Sequence, residues 1–189
     1  MVFSNLKAGG RVKTRYNCIM KQIYCLRHAH ALNADGQSDK ERRLSAQGVA
    51  DAAALGRVMH ARGYVPDLVL CSSAVRTRMT LEAVSEAFAD ALVVRFEDIL
   101  YSGSLGDYLA LVQAVAEDYS RVLVVGHNPI IHALAVNLAA EEGSSHFLSD
   151  IMSRYAPCTL SVFDVAADHW GDASPYANAL VDVVVGDGV

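Results

Sequence analysis

Apolar residues along this chain fall into short runs of two kinds, and the two kinds alternate. The run KQIYCLR (21–27) is rich in β-formers and too short for a helix. After a polar loop, RLSAQGVADAAALGRVMHARGY places Val49, Ala52, Ala53, Gly56 and Met59 at helical spacing, with Ser45 as the N-cap and Gly63 as the stop. DLVLCS (67–72) then predicts a strand, AVRTRMTLEAVSEAF (74–88) a helix, and ALVVRF (91–96) another strand.

The alternation continues to the end of the chain. In SLGDYLALVQAVAEDY, Ser104 and Asp107 have the spacing of a capping box, and Leu105, Tyr108, Leu109, Val112 and Ala116 form one face. RVLVVG (121–126) is continuously apolar, as a strand covered on both faces should be. A helix is expected in PIIHALAVNLAA, with Asn128 as N-cap and Pro129 at its first position, where a missing N–H costs nothing. Two further strands, CTLSVFDV and NALVDVVV, flank the turn-rich ADHWGDASPYA. Repeated β-α units with short loops predict a three-layer α/β/α fold around a mostly parallel sheet.

Length and composition narrow this picture. With 189 residues, about half of them hydrophobic, residues 20–189 are expected to form a single domain with a substantial core. Lys7, Arg11, Lys13 and Arg15 sit in an acid-free leader, so residues 1–19 are expected to be a flexible basic extension or sequence ahead of a start at Met20. The net charge of −5 argues against a nucleic-acid partner. No apolar run approaches the roughly 18 residues that span a bilayer, and no secretory h-region is present. A soluble, cytoplasmic protein without a membrane partner is the expectation. Cys18, Cys25, Cys71 and Cys158 show no C-x-x-C pairing and are expected to be reduced.

Chemistry gathers at the strand ends, where ligands bind in open α/β sheets. CLRHAH comes after the first strand, CSSAVRTR after the second and VVGHNP after the fourth. If the strands run parallel, Arg27, His28, Arg76 and His127 converge on one edge. Two guanidiniums and two imidazoles in one cleft describe a receptor for a dianion such as a phosphoryl group. There is no Walker-type glycine loop and no acidic cluster for magnesium, so side-chain cations must neutralise the phosphate. His28 is then the candidate nucleophile, giving a phosphohistidine that water hydrolyses. His127, ahead of a helix, is placed to hydrogen-bond a phosphoryl oxygen. His30 and His132 form no recognisable metal set with a carboxylate or cysteine, and neither a metal nor another cofactor is expected.

The segments LRHAHA, SSAVRTRMTLEAV and VVGHNPIIHALA resemble the three signature segments of the histidine phosphatase (phosphoglycerate mutase-like) superfamily, and its compact SixA-type phosphohistidine phosphatases most of all. Asp39, Arg42, Leu44, Ser45 and Gly48 match a D-x-x-R-x-L-[ST]-x-x-G segment of that branch, and Leu100-Tyr101 its LY pair. The resemblance implies His28 as nucleophile, and Arg27, Arg76 and His127 as phosphate ligands. Larger members carry a glutamate proton donor and a helical lid. Here the run from Arg95 to Gly106 is too short for such a lid, and Glu97, Asp98 and Asp35 are the candidate acids. A phosphoramidate with an already protonated imidazole leaves without help, unlike an alkyl phosphate. The implied activity is therefore a metal-independent phosphatase acting on phosphohistidine in proteins. The alternatives are a small-metabolite phosphomonoesterase of the same fold and a phospho-ligand binding module without turnover.

Overall fold

The computed structural model describes residues 20–140 and 145–186. The basic leader and Cys18 lie outside the described residues. Six strands form one sheet in the order β3-β2-β4-β1-β5-β6: β1 (Gln22–Arg27), β2 (Leu68–Ser72), β3 (Val94–Glu97), β4 (Arg121–Gly126), β5 (Leu160–Asp164) and β6 (Ala179–Val184). The pairs β1–β4, β2–β4 and β2–β3 are parallel, whereas β5 runs antiparallel to both β1 and β6. The mostly parallel sheet expected from the β-α alternation is what forms.

Strand pleating divides the core in two. Ile23, Cys25, Leu68, Leu70, Val122 and Val124 face one layer, together with buried residues of α4 (Leu105–Gln113), α5 (Ile130–Leu138) and α6 (Ser145–Ser153). Tyr24, Leu26, Val69, Cys71, Leu123 and Val125 face the other, against α1 (Ala46–Ala61) and α2 (Val75–Ser85). The central strands are buried on both faces, which is why their sequences run apolar without alternation. Between β3 and α4 stands only the one-turn helix α3 (Ile99–Ser102), so no large lid is inserted there. Among the described residues no helix is long and apolar enough to cross a membrane.

The caps explain the helix boundaries. Ser45 Oγ accepts from the Gly48 N–H, and Gly63 takes the left-handed conformation (φ +74°) that ends the turn after α1. At α4 the capping box is complete, with the Asp107 carboxylate accepting from Ser104 N–H at 2.7 Å. This helix stops at Gln113, so Val115 is buried and Ala116 is exposed, against the expected face. Asn128 does not cap α5. Pro129 occupies the N-cap position, and the Asn128 amide donates instead to the Tyr155 carbonyl at 3.0 Å.

Helix α1 also differs from its expected face. Gly48, Ala52, Leu55, Gly56 and Met59 are buried, while Val49 is 39% exposed. The reason is close backbone approach. A Cβ on Gly48 would stand 2.2 Å from the His30 carbonyl oxygen, and one on Gly56 would stand 2.3 Å from that of Val84. Glycines therefore select the face that presses on α2 and on the loop after β1, and hydropathy alone does not reveal this. Gly48→Ala is expected to destabilise the fold by about 1–3 kcal/mol, as overpacking does. The measurement is a lower denaturant midpoint at unchanged slope, and an unchanged midpoint would refute the packing account.

Candidate active site

Strand register brings the reactive loops together. Arg27 pairs with Gly126, and the His28 N–H donates to the Gly126 carbonyl at 3.1 Å, so His28 and His127 leave neighbouring strands side by side. Cys71 pairs with Val125 and Ser72 with Glu97, which sets the β2 and β3 ends at the same sheet edge. Helix α2 begins three residues beyond β2, and Arg76 is its second residue.

Arg76 is the hub. It is 5% exposed, and its Nε–H faces both imidazoles, at 3.3 Å from His28 Nε2 and 3.2 Å from His127 Nδ1. Its other nitrogens hold Asp39: Nη1 donates to the main-chain oxygen at 2.6 Å and Nη2 to Oδ2 at 3.0 Å. The two ring centroids stand 5.1 Å apart, and the Tyr101 ring packs T-shaped with that of His127 at 5.7 Å between centroids.

The partners fix both tautomers. His28 Nδ1 is 2.7 Å from the Ala29 carbonyl, which only accepts, so Nδ1 carries the proton and Nε2 keeps its lone pair. For His127 the order is reversed, since Nδ1 accepts from Arg76 and Nε2–H donates to Ser72 Oγ at 2.8 Å. Burial, and then the charges of Arg76, Arg27 and Arg42, bring the His28 pKa down to about 4. Burial, followed by His28 and Arg76, brings His127 down to about 3. At neutral pH this edge of the sheet therefore holds two uncharged imidazoles among permanent cations.

Arg27, the residue before His28, adds its charge to the field at both imidazoles. Its Nη1 donates to the Tyr155 carbonyl at 2.7 Å, the same oxygen that receives the Asn128 amide. Its Nε is buried and has no hydrogen-bond partner among the described residues, and burial lowers its pKa. An unpaired buried guanidinium N–H is costly and is satisfied by an acceptor such as a phosphoryl oxygen. Arg78 points away, exposed, with its guanidinium 5.1 Å over the Phe96 ring.

The carboxylates sort differently. Glu97 pairs with Arg95 at 2.7 Å. Asp98 accepts from Lys40 at 2.7 Å and from Ser73, and these two bonds hold its carboxyl below the usual range. Asp35 sits in an exposed turn at φ +38°. None of the three touches His28, Arg76 or His127 in the described contacts. The carboxylate that does meet the cluster is Asp39, which also bonds Arg42 at 3.1 Å and the Tyr101 hydroxyl at 3.1 Å. Hydrogen bonding to Arg42, reinforced by Arg76 and Tyr101, keeps it ionised. The sequence marks Asp39 as a motif position, but its long-range partner is invisible there. Arg42 supports the loop, donating to the Leu32 carbonyl at 2.7 Å.

His30 bonds Ser45 Oγ at 3.0 Å, and His132 donates to the Ile151 carbonyl at 2.6 Å while stacking on Tyr155. Among the described residues no three His, Cys, Asp or Glu side chains converge as a metal set. The site is thus a cation-rich cluster at the sheet edge in which the His28 Nε2 lone pair stands beside the Arg76 guanidinium.

Known proteins resemble this chain in sequence and in fold. The family model described as the histidine phosphatase superfamily (branch 1) matches residues 23–120. An uncharacterized protein of Mycobacterium tuberculosis (strain H37Rv) is 34% identical over 157 residues, covering 82% of this chain and 96% of that protein. A candidate phosphohistidine phosphatase SixA from Nakamurella multipartitia is 33% identical, with a TM-score of 0.72 over 87% of this chain and 95% of that one. Its counterpart from Agrobacterium tumefaciens is 29% identical, with a TM-score of 0.72 over 88% and 98%.

Proposed function

Because the chain belongs to the histidine phosphatase superfamily, with the fold of its SixA-type members, we propose that it is a phosphatase that hydrolyses phosphohistidine in proteins through a covalent intermediate on His28. The observation that carries this reading is the unprotonated His28 Nε2, held 3.3 Å from the Arg76 guanidinium. In the proposed reaction Arg27 and Arg76 hold the phosphoryl oxygens and spread their charge. His28 Nε2 attacks phosphorus in line, a new N–P bond forms, and the bond to the substrate imidazole breaks with its electron pair on the departing nitrogen. That imidazole already carries a proton on its other nitrogen and departs neutral.

The intermediate is a phosphoimidazole with positive charge on its ring, and the His28 Nδ1–H bond to the Ala29 carbonyl stabilises it. Water then attacks phosphorus, inorganic phosphate leaves, and the neutral ring returns. While the His28 Nε2 lone pair is engaged with phosphorus, the dianion raises the proton affinity of His127, and a proton taken up on its Nδ1 would donate to the phosphoryl group. The short segment between β3 and α4 inserts no large lid to exclude water from the intermediate, which favours hydrolysis over phosphoryl return to a second substrate. Free, buried Cys25, Cys71 and Cys158 fit a cytoplasmic location.

The pairing of Glu97 with Arg95 and of Asp98 with Lys40 supports the substrate class, since neither carboxylate is free to serve as the general acid that an alkyl phosphate needs. With chelator present throughout, the purified protein is expected to turn over a phosphohistidine carrier protein about 10²-fold or more faster, by kcat/KM, than an unactivated alkyl phosphate, the margin one general acid supplies. Preference for the alkyl ester would point to a metabolite phosphomonoesterase. Phosphate binding without any turnover would leave only a binding module, and loss of activity on chelation would overturn metal independence.

A further inference from the structure

Beyond the groups that face the phosphoryl site, we propose that Thr80 is a positioning residue that anchors the Ala29 backbone to α2, so that the Ala29 carbonyl holds the His28 ring in its attacking tautomer. The inference rests on His28 being the nucleophile. Thr80 is fully buried one helical turn after Arg76. Its hydroxyl lies 2.7 Å from the Arg76 carbonyl and 3.0 Å from the Ala29 nitrogen. A carbonyl only accepts and an amide N–H only donates, so the single hydroxyl proton goes to Arg76 and the oxygen lone pair takes the Ala29 N–H. Ala29 in turn offers its carbonyl to His28 Nδ1–H at 2.7 Å.

Thr80 thereby pins the Ala29 backbone to α2, and the carbonyl of that residue, held in place, keeps the imidazole proton on Nδ1 and the lone pair on Nε2. Threonines in helix interiors commonly return a bond to the carbonyl one turn back, and that bond alone would be local. What sets Thr80 apart is its second partner, on a different element 51 residues away. Ala29 is itself fully buried, and Thr80 is the one described partner of its N–H. One hydroxyl thus joins the backbone of the phosphate-holding arginine to the backbone beside the nucleophile, and the spacing between Arg76 and His28 is fixed through main chain as well as through their side chains.

Thr80→Val keeps the shape and removes the hydroxyl, while Thr80→Ser keeps the hydroxyl. With an activated aryl phosphate as substrate, kcat of the valine variant is expected to fall about 10- to 100-fold, the scale of a misplaced reacting group. The inhibition constant of inorganic phosphate should stay near the wild-type value, and the serine variant should regain most of the lost rate. Long-range nitrogen NMR of His28 at neutral pH should give the Nδ1–H form in the wild type and a mixture in Thr80→Val. A structural role alone would lower stability and leave both kcat of the folded protein and the tautomer unchanged. Wild-type rates in the valine variant, or a serine variant as slow as the valine one, overturn the proposal. So does an Nε2–H ring in the wild type, which decides the matter even where Thr80→Val does not fold. If the wild type hydrolyses no phosphate ester or phosphoramidate, the phosphatase reading falls, and the NMR result still judges the anchor.

Discussion

His28→Ala is expected to lower turnover of phosphohistidine and of an activated aryl phosphate by about 10⁴-fold or more, the scale seen when a nucleophile is removed. Binding of inorganic phosphate should change far less, because Arg27, Arg76 and His127 all remain. The fold should survive, since among the described residues the ring hydrogen-bonds just the adjacent Ala29 carbonyl and the Arg76 Nε–H. Rapid acid-free quenching of the wild type should trap phosphate on residue 28, and the variant should trap none. Wild-type turnover in the variant would remove the covalent route outright. The same ring makes a prediction about pH. A histidine ordinarily titrates near 6.5, but here burial and three arginines bring His28 down to about 4. NMR titration of the unliganded protein should therefore show no protonation of His28 or His127 between pH 8 and pH 5. For stability the sign is direct: the unfolded chain takes up these protons first, so the native state loses stability as pH falls from about 6.5 toward about 4.

The parts of this site that the sequence reveals are those set by the sheet. A buried parallel strand is a continuous apolar run, and the residues just after it lie at the carboxyl edge, so Arg27-His28, the SSAVR turn and Gly126-His127 can be placed together before any coordinates. Contacts made by chance of tertiary approach are not readable in that way. Asp39 reaches Arg76 across 37 positions from a 3-10 turn (Asp39–Glu41) that no periodicity announces. Glu97 and Asp98 do arrive at the correct edge, opposite Ser72, yet whether a carboxylate faces the cleft or a neighbouring cation depends on side-chain packing. Helix α6 carries Phe147, Leu148 and Ile151 at helical spacing, a weak signal within a polar stretch that sequence reading passes over. Thr80 reads as an ordinary helix residue, because a hydroxyl's second partner lies outside the sequence window.

Arg76→Ala should cost nearly as much as loss of the nucleophile, about 10³- to 10⁵-fold in kcat/KM, as removing a charge-stabilising arginine does in phosphoryl transfer. Three separate functions end with it. In the proposed reaction the guanidinium supplies donors for the phosphoryl oxygens, its Nε–H sits between the two imidazoles, and its Nη groups neutralise Asp39. Arg76→Lys keeps the charge but offers one ammonium in place of a planar fork, so it should recover only a small part of the rate. Asp39 provides the discriminating control. Its side chain is 53% exposed and keeps Arg42 as a partner, so it stays ionised when Arg76 is gone and then repels an incoming dianion without compensation. Adding Asp39→Asn to Arg76→Ala should therefore restore part of the lost phosphate affinity, a coupling that a double-mutant cycle on the inhibition constant of inorganic phosphate measures. The histidines report the same charge: without Arg76 the pKa values of both His28 and His127 should rise, since its field lowers each of them. An Arg76→Ala protein that binds phosphate as tightly as wild type, with both imidazoles titrating unchanged, would mean that the anion does not sit at this edge of the sheet.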